Sequence, residues 1–160
     1  MSISRNIVAT YRGPGAVIRR LLTMGPREDR ALAYVMGACA LFFIADLPRL
    51  AREAHLSGRE LEMLMGGSLM AWIFIAPLLL YGIALVARLV GRVFGGRGSS
   101  YGARLVLFWA LLAASPLVLL RGLTAGFIGP GLELQIVGLI WFVCFMWFWI
   151  GGSLAMERAA

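Results

Sequence analysis

Apolar residues in this chain gather into four long stretches, 31–47, 63–87, 105–120 and 134–156, with polar and basic residues between them. The last three contain no Asp, Glu, Lys, Arg or His. A bilayer core about 30 Å thick needs roughly 20 apolar residues of helix, with about 17–25 as the working range. The second and fourth stretches reach that length outright. The first and third are shorter, and Arg104 and Arg121 can snorkel outward from the ends of the third. The pattern predicts an all-α integral membrane helical bundle of four transmembrane helices. Residues 1–30 form a basic cytoplasmic leader, 31–156 the bundle and 157–160 a cytoplasmic tail.

The polar punctuation refines these elements. Glu28 and Asp29 place carboxylates at the N-terminus of the first span, where the helix dipole favours them. Asp46 and Pro48 are expected to close it. Ser57 and Glu60 have capping-box spacing, so the next helix should start near Gly58. That helix has no decisive stop before Gly95, and Pro77 predicts a kink. The glycines at 95, 96 and 98 mark a tight turn, with Ser99 or Ser100 as the next cap. The third span should end in Ser115-Pro116 and Arg121, and Gly126, Gly129, Pro130 and Gly131 make the following turn. Small residues spaced four apart at Ala33/Gly37, Gly67/Ala71 and Gly91/Gly95 predict close helix contacts.

In the leader, Gly13-Pro14-Gly15 precedes a short amphipathic stretch. Val17, Leu21 and Met24 fall on one helical face, with Ile18 and Leu22 beside them, while Arg19 and Arg20 face away. This predicts an N-terminal interfacial helix that docks Leu21 and Leu22 on the membrane or the bundle, with Arg19 and Arg20 at the headgroups. The first apolar run begins behind this leader, which is unlike a cleavable signal peptide.

Composition agrees with lipid as the solvent. The chain is 61% hydrophobic and 14% charged, against about 25% charged for a soluble domain. All 15 basic residues are arginine, a usage that fits GC-rich coding and a bacterial source. With the N-terminus inside, the leader, Arg88, Arg92, Arg97, Arg104 and Arg158 put 11 arginines on the inner side, against Arg49, Arg52, Arg59 and Arg121 outside. The positive-inside rule therefore predicts both termini cytoplasmic, in a bacterial inner membrane. The same placement assigns the +7 net charge to anionic lipid headgroups, and no nucleic-acid partner is expected.

Candidate chemistry is sparse. His55 is the only histidine, H-E-x-x-H is absent, and neither a nucleophilic triad nor a metal or cofactor set is predicted. Cys39 and Cys144 each sit mid-span and read as packing residues. Asp46 is the deepest ionisable residue, at the outer margin of its span. Trp147 and Trp149 suit an interfacial belt, whereas Trp141 lies deeper, against protein or a bound lipid. The predicted interaction surface is Arg88, Arg92, Arg97 and Arg104, gathered around one turn.

Three features carry a family resemblance: the Pro-Gly break before the amphipathic stretch 14–24, the Gly95-Gly96-Arg97-Gly98-Ser99 turn followed by Tyr101-Gly-Ala-Arg104, and Ser115-Pro116 within a span. By these the chain resembles the Yip family of small multi-span membrane proteins with a Yip-one domain. Its members typically carry five spans, and four are counted here. The resemblance implies a membrane organiser or adaptor without catalysis. The expected function is therefore a non-enzymatic organiser, adaptor or accessory subunit. Its partners would be membrane lipids and either another membrane protein or a second copy. The alternative is a permease or channel subunit for a small neutral solute.

Overall fold

The computed structural model describes residues 2–159. Two short helices, α1 (Ile3–Arg12) and α2 (Pro14–Thr23), precede α3 (Glu28–Ser57), α4 (Leu61–Val93), α5 (Ser100–Ala113), α6 (Ser115–Phe127) and α7 (Leu132–Ala159). The described residues contain no strand. By length and composition α3, α4 and α7 can each cross a membrane. The pair α5 and α6, bent by 44° at Ala114, passes the same test only together, which makes three or four candidate spans. One end of the bundle, here proximal, holds Glu28, the α4–α5 turn and the end of α7. The distal end holds the α3–α4 and α6–α7 turns.

Helix α5 occupies the centre. From Leu105 onward it is apolar on every side, the pattern of a helix with no face left for solvent, and each residue from Leu105 to Ala114 is buried. Helices α1, α3, α4 and α7 pack around it. The outer helices point apolar side chains outward instead: Leu78, Leu79 and Val86 on α4, and Leu139, Phe142 and Val143 on α7, are all exposed.

The α5–α6 break follows from Pro116, which has no N–H to give and cannot continue the helical ladder. The Leu112 carbonyl accepts instead from the Ser115 hydroxyl at 2.6 Å. Leu117 N–H bonds to Ala114 rather than Ala113, and the Ala113 carbonyl takes the Tyr11 hydroxyl at 2.7 Å. Two carbonyls orphaned in an apolar interior are thus satisfied, one locally and one by the leader.

That leader is a helical hairpin. Sequence periodicity anticipates its second helix but not α1. Asn6 and Thr10 of α1 are buried. Thr10 accepts from the Trp109 indole at 3.0 Å and donates to the Asn6 carbonyl. Tyr11 meets Phe148 edge-on, with ring centroids 4.9 Å apart. On α2, Val17, Ile18 and Leu21 are at most 2% exposed, Ile18 lies against Gly152, and Pro14 at the hairpin tip lies against Gly151. Each helix is about 15 Å long, so the tip reaches the level of Ala113, midway along the bundle. The leader's apolar face belongs to the same core as the long helices.

The long helices correct several expectations. Asp46 and Pro48 do not end α3, which continues to Ser57. A proline inside a helix costs about 3 kcal/mol, and close packing of α6 along this segment offsets it. Gly122 lies against the Ala45 carbonyl and Gly126 against Pro48, and a Cβ at either position would overlap backbone atoms. The closest small-residue approach is therefore Gly122/Gly126, not one of the three pairs anticipated. Consequently α6 runs through Gly126, and the turn begins only after Phe127. The Ser57–Glu60 capping box does not form. Gly58 adopts a left-handed conformation (φ 73°) as the C-cap of α3, and α4 starts at Leu61. Helix α4 answers Pro77 with a π-helical turn, Ala71–Ile75, in which Ala76 N–H reaches back to the Ala71 carbonyl. The wider turn relieves the crowding that a proline ring imposes on the preceding carbonyls. Ser99 caps α5 as expected, accepting from Gly102 N–H at 2.9 Å.

Candidate functional site

The proximal end divides the four arginines expected to act together. Arg92 and Arg97 are exposed, and among the described residues neither side chain makes an ion pair. Arg104 turns sideways and binds both carboxylate oxygens of Glu28. Arg88 is half-buried, with Nε and Nη1 hidden and unpartnered. The turn between them is held by Glu157, a residue the sequence reading passed over. Its carboxylate accepts from the backbone N–H groups of Arg97 and Gly98. Gly98 and Gly102 lie against the Met156 side chain, so α7 seats this turn from below. On the leader, Arg19 is exposed, Arg20 donates to the Asn6 side chain, Leu21 is buried and Leu22 half-buried. The proximal face therefore offers Arg92 and Arg97 outward, while the Arg19 guanidinium folds back toward Gly15 of its own helix.

The distal half contains a cleft that the sequence did not reveal as a unit. Its volume is about 670 Å³, and α3, α4, α6 and α7 all contribute walls. Phe42, Trp72 and Trp141 form its aromatic floor. Phe42 meets Trp72 edge-on at 5.2 Å and Trp141 at 6.4 Å, and Trp141 stacks on Phe145 at 5.6 Å. The Trp141 indole nitrogen is buried without a partner. The π turn of α4 contains Trp72, and such turns recur at functional sites.

Polar groups gather at the rim. Arg49 grips Asp46 with two bonds of 2.7 and 3.0 Å, and Ser68 of α4 donates to the same carboxylate at 2.7 Å. Arg49 also reaches Glu53 at 3.0 Å, and Arg59 lies 3.7 Å from that carboxylate. Arg52 points its guanidinium at the Gly126 carbonyl and packs against Gly129. Arg121 lies over Gly138, and among the described residues it has neither a hydrogen bond nor an ion pair. Three of the four distal arginines are thus engaged by the protein itself, and Arg121 is not. Asp46, Arg121 and Trp141 are each conspicuous in the sequence. What joins them is the Gly122/Gly126 contact, which presses α6 onto α3 beside Arg121.

These features define an all-helical protein with a filled apolar centre and helices long and apolar enough to cross a membrane. No protein-family model, curated protein or solved structure matches the chain.

Proposed function

We propose that this chain is a four-span protein of a bacterial inner membrane, with both termini cytoplasmic, that organises or adapts other membrane components without catalysis, in the manner of the Yip-type proteins it resembles. The observation that carries the reading is that Arg92, at the end of α4, and Arg97, in the turn that Glu157 holds in place, are both exposed and, among the described residues, without an ion pair. Two free guanidinium groups at one end of an apolar bundle suit an anionic leaflet or an acidic partner surface. Each arginine near such a leaflet contributes about 1 kcal/mol. Apolar exteriors on α4 and α7 suit lipid contact. The central position of α5, buried from Leu105 to Ala114, favours an organiser over a solute conduit.

Two expected outcomes test this reading. Single cysteines near Gly98, at the exposed Ser100, should be labelled only from the cytoplasmic side, and single cysteines near Gly58, at the exposed Arg59, only from the other side. Labelling of the Gly98 turn from outside would overturn the topology. Substituting Arg92→Gln together with Arg97→Gln should weaken a salt-sensitive association of the purified protein with anionic vesicles by roughly tenfold or more, while orientation persists. Equal binding and equal salt dependence in variant and wild type would reduce these arginines to a topology signal.

A further inference from the structure

We infer that the distal cleft is a binding site for one anionic phospholipid of the adjoining leaflet, with Arg121 holding the phosphate and the aromatic floor holding an acyl chain. The inference rests on the membrane reading above. Charge decides the sign of the ligand. The cleft contains one carboxylate, Asp46, and two guanidinium groups, Arg49 and Arg121. Arg49 and Ser68 already satisfy Asp46. The surplus charge is the one on Arg121, and a phosphate oxygen pair matches the planar donor fork of a guanidinium.

The walls decide the rest of the ligand. Phe42, Trp72 and Trp141 offer flat aromatic surface, and apart from the rim charges the polar side-chain groups of the lining are the two indole N–H groups and the Gln135 amide. A cleft of this size is within the range of about 300–1,000 Å³ in which proteins enclose small ligands. Its outer wall is Leu139 and Phe142, both exposed, and these continue into the exposed apolar flank of α7 at Ile136 and Val143. The mouth therefore opens along the face that the membrane reading gives to lipid, and a hydrocarbon chain can enter without leaving apolar surroundings. A free soluble anion would use Arg121 but none of this floor. The buried indole N–H would find an acceptor in the ester region of a bound lipid, between headgroup and chain.

Native mass spectrometry of the full chain, purified in a neutral detergent and supplied with phosphatidylglycerol, phosphatidylcholine or inorganic phosphate, tests the site. The wild type should retain one phosphatidylglycerol with at least tenfold preference over phosphatidylcholine. Arg121→Gln should abolish that preference, and Arg121→Lys should restore part of it. Arg121 is exposed and unpaired, so these variants should melt as the wild type does. Brominated acyl chains should quench tryptophan emission, and Trp141→Phe should diminish the quenching. Retention of the preference in Arg121→Gln overturns the site, as does displacement of the lipid by inorganic phosphate at equal concentration. Loss of the preference in the Arg92→Gln, Arg97→Gln protein but not in Arg121→Gln places the lipid at the proximal face, which overturns this site and leaves the earlier reading standing. Labelling that puts the Gly98 turn outside would sink the membrane topology independently of either lipid result.

Discussion

Gly122→Ala should destabilise the bundle by about 3 kcal/mol or more, lowering its melting temperature in detergent by roughly 6–12 °C. The added methyl has nowhere to go, because its position coincides with the Ala45 carbonyl of α3, which is backbone and cannot rotate aside. To admit it, α6 must move away from α3. That movement also opens the Gly126–Pro48 contact and pulls Arg121 off the cleft rim. Gly82 supplies the contrast, since nothing lies within 4 Å of a Cβ there. Gly82→Ala should be neutral or slightly stabilising, because alanine is the better helix former by about 1 kcal/mol. Melting curves followed by circular dichroism measure both. A Gly122→Ala protein that melts within a degree or two of the wild type would show that α3 and α6 do not pack this closely.

The second large effect belongs to the leader hairpin. Ile18→Ser combined with Leu21→Ser should release α2 from α7 and let the backbone at Arg19 and Arg20 unwind into trypsin, which the docked helix denies it. Each substitution removes a side chain that is 1% exposed and brings a hydroxyl into an apolar site. Large-to-small changes at such positions typically cost about 2–5 kcal/mol, and an unpartnered hydroxyl adds to that. Detachment also strips the Ala113 carbonyl of the Tyr11 hydroxyl and the Trp109 indole of Thr10. The long helices should persist, because α3, α4 and α7 each keep their contacts with α5, and helical circular dichroism should fall only by the hairpin's share. Leu22→Ser, at a half-buried position, should have little effect. Trypsin resistance of the double variant equal to the wild type would contradict the docked hairpin.

Both predictions concern contacts that local sequence does not encode. Arg121 and Asp46 lie 75 positions apart, and nothing in either neighbourhood states that they share a rim. Gly122/Gly126 has the spacing of a close helix contact, but several glycine and alanine pairs in this chain have it too. Only the partner surface selects one, because close approach needs small residues on one helix and accessible backbone on the other. The same holds for Glu157. As a single carboxylate near a helix end it is unremarkable, and it becomes the clasp of the α4–α5 turn only when α7 is placed beside that turn.

The sequence by itself determined that the protein is helical, where its long apolar helices begin to within a few residues, that Gly95–Ser99 is a turn with Ser99 or Ser100 to cap the next helix, and that one face of residues 17–21 is apolar. These follow from local causes: hydrophobic runs too long for strands, glycine and proline punctuation, and the 3.6-residue period. Tertiary structure decided that α3 runs through Pro48, that the third apolar stretch breaks at Ala114, that α1 exists and packs inward, and that four helices enclose a cleft beside an unpaired arginine. In each case a partner distant in the chain decided whether the local signal was obeyed or overridden. Packing against α6 offsets the proline in α3. A tyrosine from the leader satisfies a carbonyl at the break. The cleft arises from the way four helices diverge around the central one, which no single helix's periodicity contains.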